Sequence, residues 1–274
     1  MSIKISFIGA GNVATSLAGG MIAKGMDPIN ITLADINENQ LQMARKKLQV
    51  NTTRDNINAC QKADVIVLAV KPQVMGEVLA PLQSLLQQRK PLLLSIAAGI
   101  TLAQLEQWLG PELPIVRCMP NTPALLRCGA TGLFANTAVS EIQRQQAQQI
   151  LDAVGLALWV EQESELDAVT AVSGSGPAYF FLMMEAMQAS GEALGLSPDV
   201  AKQLSQQTAL GAARMALESD VDVAELRRRV TSPKGTTERA ITIFEDGGFR
   251  ALVQQALQGA ADRADELGRE LEGE

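Results

Sequence analysis

The stretch IKISFIGAGNVATSLAGG, residues 3–20, decides the fold of this chain. An apolar run that predicts a first strand leads directly into the pattern Gly-x-Gly-x-x-Ala, which opens a helix-like segment. The first glycine permits a tight turn, the second lets a pyrophosphate approach the backbone, and the alanine lets helix and strand pack closely. Free N–H groups at the helix start suit phosphates. The pattern and its position favour dinucleotide binding over a purely structural turn, with the candidate residues Gly9, Gly11, Asn12, Val13 and Ala14.

Around this turn the chain divides into an alternating half and a helical half. Short apolar runs alternate with helix-like segments as far as about residue 160, a pattern that predicts a parallel sheet. After about residue 163, Ala, Leu, Met, Gln and Glu dominate and β-branched clusters are few, which predicts helices. The expected strands are 3–10, 29–35, 63–70, 91–99, 114–120 and 155–160, and the expected helices are 12–25, 37–48, 73–86, 176–196, 197–219, 222–230 and a tail from about 248.

Composition excludes several classes of function. The 274 residues carry a formal charge of −7, so no basic field favours nucleic acid or an anionic membrane surface. The chain has no histidine, which excludes a Ser-His-Asp triad, a histidine base and histidine-ligated zinc. The three cysteines have no metal spacing, no segment predicts a membrane span, and the N-terminus lacks signal-peptide features. We expect a cytoplasmic protein without a metal site, whose chemistry rests mainly on a cofactor.

The carboxyl ends of the expected strands outline a groove for that cofactor. In a doubly wound sheet the ligand lies beyond these ends, which here read AVKPQ, SIAAGI and RCMPNTP. The small residues of SIAAGI admit a flat ring, although small residues also pack helices. The lysine of AVKPQ either faces the cofactor or is a solvated loop residue. The candidates for cofactor binding are Ala69, Val70, Lys71, Pro72, Ala97, Ala98, Gly99, Met119 and Asn121.

Asp35 ends the second expected strand, roughly where an acidic residue binds the ribose 2′-hydroxyl in NAD-binding proteins. A carboxylate in that place would repel the 2′-phosphate of NADP. Asp35 alternatively caps the next helix, and Asn37 and Asn39 lie in the same turn. The choice between NADPH and NADH therefore stays open.

The motifs GxGxxA, VKP, SIAAGI, RCMPNTP, AVSGSGPAY and ELRRRVTSPKGTTERAI occur in this order along essentially the whole chain. With them the sequence resembles the pyrroline-5-carboxylate reductase family. The resemblance implies an α/β Rossmann N-terminal domain, residues 1–162, and an all-α C-terminal domain for dimerisation and substrate binding, residues 163–274. It also implies reduction of 1-pyrroline-5-carboxylate to L-proline with NADPH or NADH, the last step of proline biosynthesis, by a homodimer that commonly assembles into a decamer.

The same resemblance assigns the polar segment SPKGTT, residues 232–237, to the substrate. We expect Ser232 and Pro233 to start a helix whose free N–H groups hold the substrate carboxylate. Family analogy places the Thr237 hydroxyl against the ring nitrogen and gives Ser232 a part in carboxylate binding, so these two are the catalytic candidates. The structural alternative is an ordinary capped helix start. The substrate-binding candidates are Ser173, Gly174, Ser175, Gly176, Gly235 and Thr236.

Two other functions are compatible with parts of this sequence. β-Hydroxyacid dehydrogenases join a similar Rossmann domain to a helical domain but rely on a helix-borne lysine. After SGSGPAY the next lysine is Lys202, and Lys234 stands where the reductase family would most commonly have glycine. A noncatalytic nucleotide sensor is the second rival, although both Thr237 and the glycine turn are present. Glu185 and Cys118 are weaker catalytic candidates, more typical of a salt bridge and of a buried inert thiol.

Overall fold

A computed structural model describes residues 3–272 of the chain. Its first part is an eight-stranded sheet with helices on both faces. The strands are β1 Ile5–Ile8, β2 Ile31–Ala34, β3 Asn51–Thr53, β4 Val65–Leu68, β5 Leu92–Ser95, β6 Ile115–Met119, β7 Gly129–Ala135 and β8 Gly155–Trp159.

The strand order is β3-β2-β1-β4-β5-β6-β7-β8. The first six strands in this order are parallel, β7 is antiparallel to β6, and β8 is parallel to β7. The parallel part has the order of the Rossmann fold, so the predicted fold class is confirmed. The order reverses between β1 and β4, and this is the place where such sheets bind their ligands.

All six strands expected from the sequence are present, and two others were missed. β1, β4 and β5 are buried along their whole length, as their continuous Val, Ile and Leu indicate. β3 is only three residues long, and its sequence NTT has no apolar residue to mark it. β7, with the sequence GATGLFA, carries two glycines in seven residues, and glycine weakens a strand signal.

Helices of the first part cover both faces of the sheet and create two separate cores. The helix expected over 73–86 is interrupted, because the turn Ala80–Leu82 contains a proline and separates two short helices. Two of the helices begin with a reciprocal capping box, which Thr101 forms with Gln104 and Ser140 forms with Gln143. The helices are α1 Asn12–Ala23, α2 Glu38–Leu48, α3 Asn56–Cys60, α4 Met75–Leu79, α5 Gln83–Arg89, α6 Leu102–Leu109, α7 Glu141–Leu151 and α8 Glu165–Val169.

A π-helical turn, Thr170–Gly174, follows α8 and leads to the helical part of the chain. Ser197 and Pro198 stand at the N-cap and first position of α10, as the sequence predicts. None of the helices between residues 3 and 272 is long and apolar enough to cross a membrane. The remaining helices are α9 Gly176–Ala193, α10 Pro198–Glu218, α11 Val223–Arg229, α12 Thr236–Asp246 and α13 Phe249–Glu272.

The chain forms two compact units. The first comprises the chain up to Ser175 together with the segment from Ala260 onward, which is the second half of α13. The second is Gly176–Gly259. Both hydrophobic cores belong to the first unit. The boundary expected between residues 162 and 163 on grounds of family remains a prediction.

Candidate active site

Gly9 holds the turn after β1 against the end of β4. Its φ angle is +103°, and its N–H donates to the Ala34 carbonyl at 2.7 Å. A Cβ at this position would stand 2.6 Å from the Ala69 carbonyl oxygen and 3.0 Å from the Val70 nitrogen. Only glycine therefore fits here, on both conformational and steric grounds. The predicted cofactor residues Gly9, Ala69 and Val70 meet at the point where the strand order reverses.

Gly11 shows the opposite environment two residues later. It is the N-cap of α1, it has no side chain to cap the helix, and a Cβ added to it would meet no atom within 4 Å. Asn12 is exposed, Val13 is half-buried, and Ala14 is buried against the sheet. The first N–H groups of α1 have no partner within the helix. Open space above unsatisfied donors fits a pyrophosphate, so this turn can hold a dinucleotide.

Asp35 fixes the turn between β2 and α2. Its Oδ2 accepts the Ala10 N–H at 2.8 Å and its Oδ1 accepts the Asn37 N–H at 2.8 Å. Asn37 is the residue that caps α2, because its side chain accepts from the N–H groups of Asn39 and Gln40. The interpretation of Asp35 as the helix cap is therefore wrong. The carboxylate ties the glycine turn to the end of β2 and still has lone pairs for a ribose hydroxyl.

The next strand ends contribute residues of different exposure. Lys71 is exposed and precedes Pro72, which opens a short 3₁₀ turn. Beyond β5, Ala97 is buried and Ala98 is exposed. Gly99, with a φ of +75°, lies beneath α13, since a Cβ there would stand 3.0 Å from Leu271 Cδ1. Gly99 thus has a packing role against the C-terminal helix that the sequence did not reveal.

The turn after β6 contacts the SGSG segment. Asn121 Nδ2 donates to the Ser173 carbonyl at 2.9 Å. The Cε atom of Met119 lies 2.8 Å from the position that a Gly174 Cβ would take. Two predicted cofactor residues therefore touch two predicted substrate residues within the first unit. The hydroxyl of Ser173 donates to the Val169 carbonyl at 2.9 Å inside its own helix.

A partly buried ion pair nearby was not predicted from the sequence. Arg117 of β6 and Glu163 are 2.5 Å apart, with 12% and 29% of their side chains exposed. Glu163 Oε1 also accepts the Leu102 N–H at 2.8 Å, at the start of α6. Burial raises the pKa of Asp167, and the charge of Arg117 opposes that rise. The signal was available, since an arginine inside the apolar run PIVRCM requires a partner.

The SPKGTT segment lies in the second unit and forms a turn followed by a helix. The expected start at Ser232 and Pro233 is wrong: α12 begins at Thr236, and Gly235 is its N-cap, with no capping side chain. The Gly235 N–H closes the preceding turn on the Ser232 carbonyl at 3.0 Å. Thr237 is half-buried and Thr236 is exposed.

Lys234, inside that turn, has a φ of +58°, a conformation that favours glycine. Its N–H donates to Glu238 Oε2 at 2.6 Å. The Glu238 carboxylate is therefore engaged by the Lys234 N–H. Because the N-cap is a glycine, the first N–H groups of α12 also have no capping side chain. An anion can therefore approach the helix start.

Comparison with known proteins decides the family. A family model described as pyrroline-5-carboxylate reductase dimerisation matches residues 163–267, and one described as NADP oxidoreductase, coenzyme F420-dependent, matches residues 4–99. The pyrroline-5-carboxylate reductase of Pseudomonas aeruginosa is 55% identical over 268 residues, which cover 98% of each chain. The chain belongs to the pyrroline-5-carboxylate reductase family. The enzyme of that name from Vibrio alginolyticus is 44% identical over 96% of this chain and 97% of its own.

Solved structures of pyrroline-5-carboxylate reductases agree in fold with this chain. The protein from Coxiella burnetii has a TM-score of 0.95 at 47% identity, covering 97% of this chain and 99% of its own. The protein from Plasmodium falciparum, solved with NADP bound, has a TM-score of 0.84 at 30% identity, covering 97% and 98%. Membership of the reductase family removes the β-hydroxyacid dehydrogenases as a family assignment.

The other catalytic candidates have environments that suit structural roles in a member of this family. Burial raises the pKa of the Cys118 thiol, and it raises the pKa of Cys60 to about 12. Both thiols are therefore protonated at neutral pH and are poor nucleophiles. Glu185 is exposed on α9. Within residues 3–272, no three cysteine or acidic side chains come together as metal ligands.

Proposed function

We propose that this chain reduces 1-pyrroline-5-carboxylate to L-proline with NADPH or NADH. The observation that carries the proposal is the 55% identity, over 98% of both chains, to a pyrroline-5-carboxylate reductase. The glycine turn at the β1/β4 reversal and the uncapped start of α12 are the two local features that this reaction needs. One suits a dinucleotide and the other suits a carboxylate.

On the cofactor side, the start of α1 would hold the pyrophosphate and Asp35 would face the ribose. The ends of β4, β5 and β6, with Lys71, Ala98 and Met119, would border the nicotinamide half. When bound, the reduced nicotinamide supplies the hydride for the imine carbon. The residues of this chain need only to hold and orient the cofactor and the substrate, because protonation of the imine nitrogen already makes the neighbouring carbon electrophilic.

On the substrate side, the N–H groups of Thr236 and Thr237 at the start of α12 would bind the carboxylate. This arrangement lets a protein of net charge −7 bind an anion without a basic patch. The Thr237 hydroxyl oxygen would accept a hydrogen bond from the N–H of the protonated ring nitrogen, which retains its proton as the C=N bond becomes C–N. Ser232 would support the carboxylate, and the segment Ser173–Gly176 would form another wall of the pocket.

The preferred dinucleotide depends on Asp35. A carboxylate near the ribose favours a 2′-hydroxyl over a 2′-phosphate. The Plasmodium falciparum relative, however, was solved with NADP bound. We therefore propose use of both cofactors, with their ratio set by Asp35 and its neighbours.

We further propose a homodimer, assembled into a decamer, in the cytoplasm. The match of residues 163–267 to a dimerisation family model supports assembly. The apolar side chains of α9 support it as well, since Phe180, Phe181 and Leu182 are 64–67% exposed in the single chain. Cys60, Cys118 and Cys128 are free thiols, which suits a reducing compartment.

The test is the consumption of NADPH and of NADH, in parallel, after addition of pyrroline-5-carboxylate to the purified protein. The proposal predicts oxidation of the cofactor with stoichiometric formation of proline. A folded protein that binds dinucleotide but forms no proline with either cofactor would overturn it. The Gly11→Glu variant is the control, because a carboxylate at the pyrophosphate position should abolish the reaction.

A further inference from the structure

Asn121 has a side chain whose two ends are both engaged. Its Nδ2 donates to the Ser173 carbonyl at 2.9 Å, and its Oδ1 accepts the Ala130 N–H at 2.9 Å. The orientation of the amide is unambiguous, since one partner only accepts and the other only donates. The side chain therefore links the turn after β6 to β7 on one side and to the π-helical turn on the other.

The Ser173 carbonyl needs this donor for a reason that lies in the sequence. A helical carbonyl normally accepts from the N–H four residues later, and that residue is Pro177, which has no N–H. The π-helical turn uses a wider pattern, in which the Ser175 N–H donates to the Thr170 carbonyl at 2.8 Å. Single π turns of this kind concentrate at functional sites. Asn121 satisfies the carbonyl with a side chain from another element.

A second contact fixes the same two segments. Met119 Cε lies 2.8 Å from where a Gly174 Cβ would stand, so the methionine packs against the bare backbone of the glycine. The last residue of β6 and a residue of the turn that follows it thus contact two consecutive residues of the segment Ser173–Gly176. The hydrogen bond sets the register of this contact, and the methyl group sets its distance.

We propose that Asn121 is a positioning residue that holds the segment Ser173–Gly176, which joins the π-helical turn to α9, in place for imine reduction and does not itself determine dinucleotide affinity. This inference rests on the proposed function, in which Ser173–Gly176 border the substrate. Asn121 acts on the reaction indirectly, through its hydrogen bond to the Ser173 carbonyl. The sequence predicts Asn121 as a cofactor-binding residue. In this proposal it instead connects the cofactor-binding candidates to the substrate-binding candidates.

The test is Asn121→Asp, which preserves size and the acceptor for the Ala130 N–H. The ionised carboxylate cannot donate to the Ser173 carbonyl and repels it, whereas the protonated carboxyl can donate. We expect kcat/KM for pyrroline-5-carboxylate to fall about 10- to 100-fold at neutral pH, while the NADPH Kd changes less than about twofold. Relative to the unchanged protein in the same buffers, the loss should shrink as pH falls, because protonation of the introduced carboxyl restores the donor.

A matched control is Asn136→Asp, at the other end of β6. Asn136 also accepts a backbone N–H, from Ile115 at 3.1 Å, and donates to a backbone carbonyl, of Leu113 at 2.8 Å. Its Nδ2 donates in addition to Glu106 Oε1 at 3.2 Å, and it lies beside the start of β6, away from the candidate site residues. We expect Asn136→Asp to lower stability without a pH-reversible loss of kcat/KM.

Three results would overturn the inference: an NADPH Kd that rises as much as kcat/KM falls, an unchanged kcat/KM, or a loss that does not respond to pH. If the unchanged protein forms no proline, the proposed function fails separately. Amide hydrogen exchange then decides the positioning role. Peptides covering residues 165–180 should exchange faster in Asn121→Asp than in Asn136→Asp at neutral pH, and equal exchange would contradict the role.

Discussion

Phe7 and Phe181 represent the two units of this molecule. Phe7, in β1, is fully buried, and it belongs to a core shared with Leu17 and Leu33. Phe181, in α9, is 64% exposed in the single chain. Among the described residues of the second unit only Gly176, Ala201 and Ser205 are buried, although its helices carry many large apolar side chains.

The comparison shows that apolar composition alone does not make a core. The first unit encloses its apolar residues because strands and helices stack in layers on both sheet faces. The second unit has helices that are apolar around much of their circumference, without enough of its own chain to cover them. Burial of each such side chain stabilises by about 2 kcal/mol, so the second unit would gain most from the second chain of the proposed homodimer.

The largest effect should come from Gly9→Ala, which adds a methyl group to a closely packed turn of the first unit. The added methyl meets the Ala69 carbonyl at 2.6 Å and forces an unfavourable φ. We expect the free energy of unfolding to fall by about 3 kcal/mol and the affinity for the dinucleotide to fall as well. Urea unfolding and NADPH fluorescence titration measure both.

Gly11→Ala is the contrast to that variant, because a Cβ at position 11 meets no atom within 4 Å. It should unfold like the unchanged protein and still bind NADPH about tenfold more weakly, since the methyl occupies the space above the helix start. Equal destabilisation by the two variants would show that Gly9 is no more important for the packing of the turn than Gly11.

Next in size is Phe181→Glu, which attacks the uncovered face of the second unit. If the proposed homodimer covers this face, a charge on it should dissociate the dimer and lower the melting temperature. Ser190→Glu places the same charge nine residues along α9, on the opposite face of the helix. Light scattering after size exclusion should show a smaller mass only for Phe181→Glu. An unchanged mass would mean that this face stays uncovered.

The same contrast explains how far sequence reasoning could go. In the first unit, the strand β1, the glycine turn and the parallel sheet could be predicted from runs of Val, Ile and Leu and from one motif, because local pattern and burial agree there. β7 was missed, since its identity depends on pairing with β6 and β8 rather than on its own residues. The Arg117–Glu163 pair and the Asn121–Ser173 bond join residues about fifty positions apart, so a local pattern can show that Arg117 needs a partner but cannot identify that partner.

In the second unit the helices could be predicted but the details of their ends could not. The N-cap of α10 at Ser197 followed from the Ser-Pro pair. The same pair at Ser232 and Pro233 makes a turn instead, because Lys234 takes a left-handed conformation and Gly235 becomes the cap. The end of a helix depends on the φ and ψ angles of single residues, and the sequence alone does not show which conformation such a residue adopts.

A smaller effect is expected from Asp35→Ala, in the first unit. Loss of the carboxylate removes the acceptor of the Ala10 and Asn37 N–H groups, so affinity for both dinucleotides should fall. The ratio of kcat/KM with NADPH to that with NADH should nevertheless rise about tenfold, since the repulsion of a 2′-phosphate is removed. An unchanged ratio would mean that Asp35 serves only the turn.

The smallest effect should come from Lys234→Gly, in the second unit. Glycine adopts the φ of +58° without the cost of about 1 kcal/mol that a side chain carries there. We expect stability to rise by less than that amount and kcat to stay unchanged. Lys234→Ala is the control, because it removes the same side chain and keeps the strain. A fall in kcat in both variants would instead assign the lysine a part in the reaction.

The proposed role of the start of α12 in substrate binding, and not in dinucleotide binding, is tested most directly with Thr237→Ala, by measuring the NADPH Kd and kcat/KM for pyrroline-5-carboxylate on the same preparation. The account predicts a fall in kcat/KM of at least about tenfold and an unchanged Kd, with recovery in Thr237→Ser and no effect in Thr236→Ala, whose side chain is exposed. A Kd that rises in step with the loss of kcat/KM, or an equal loss in Thr236→Ala, would contradict it.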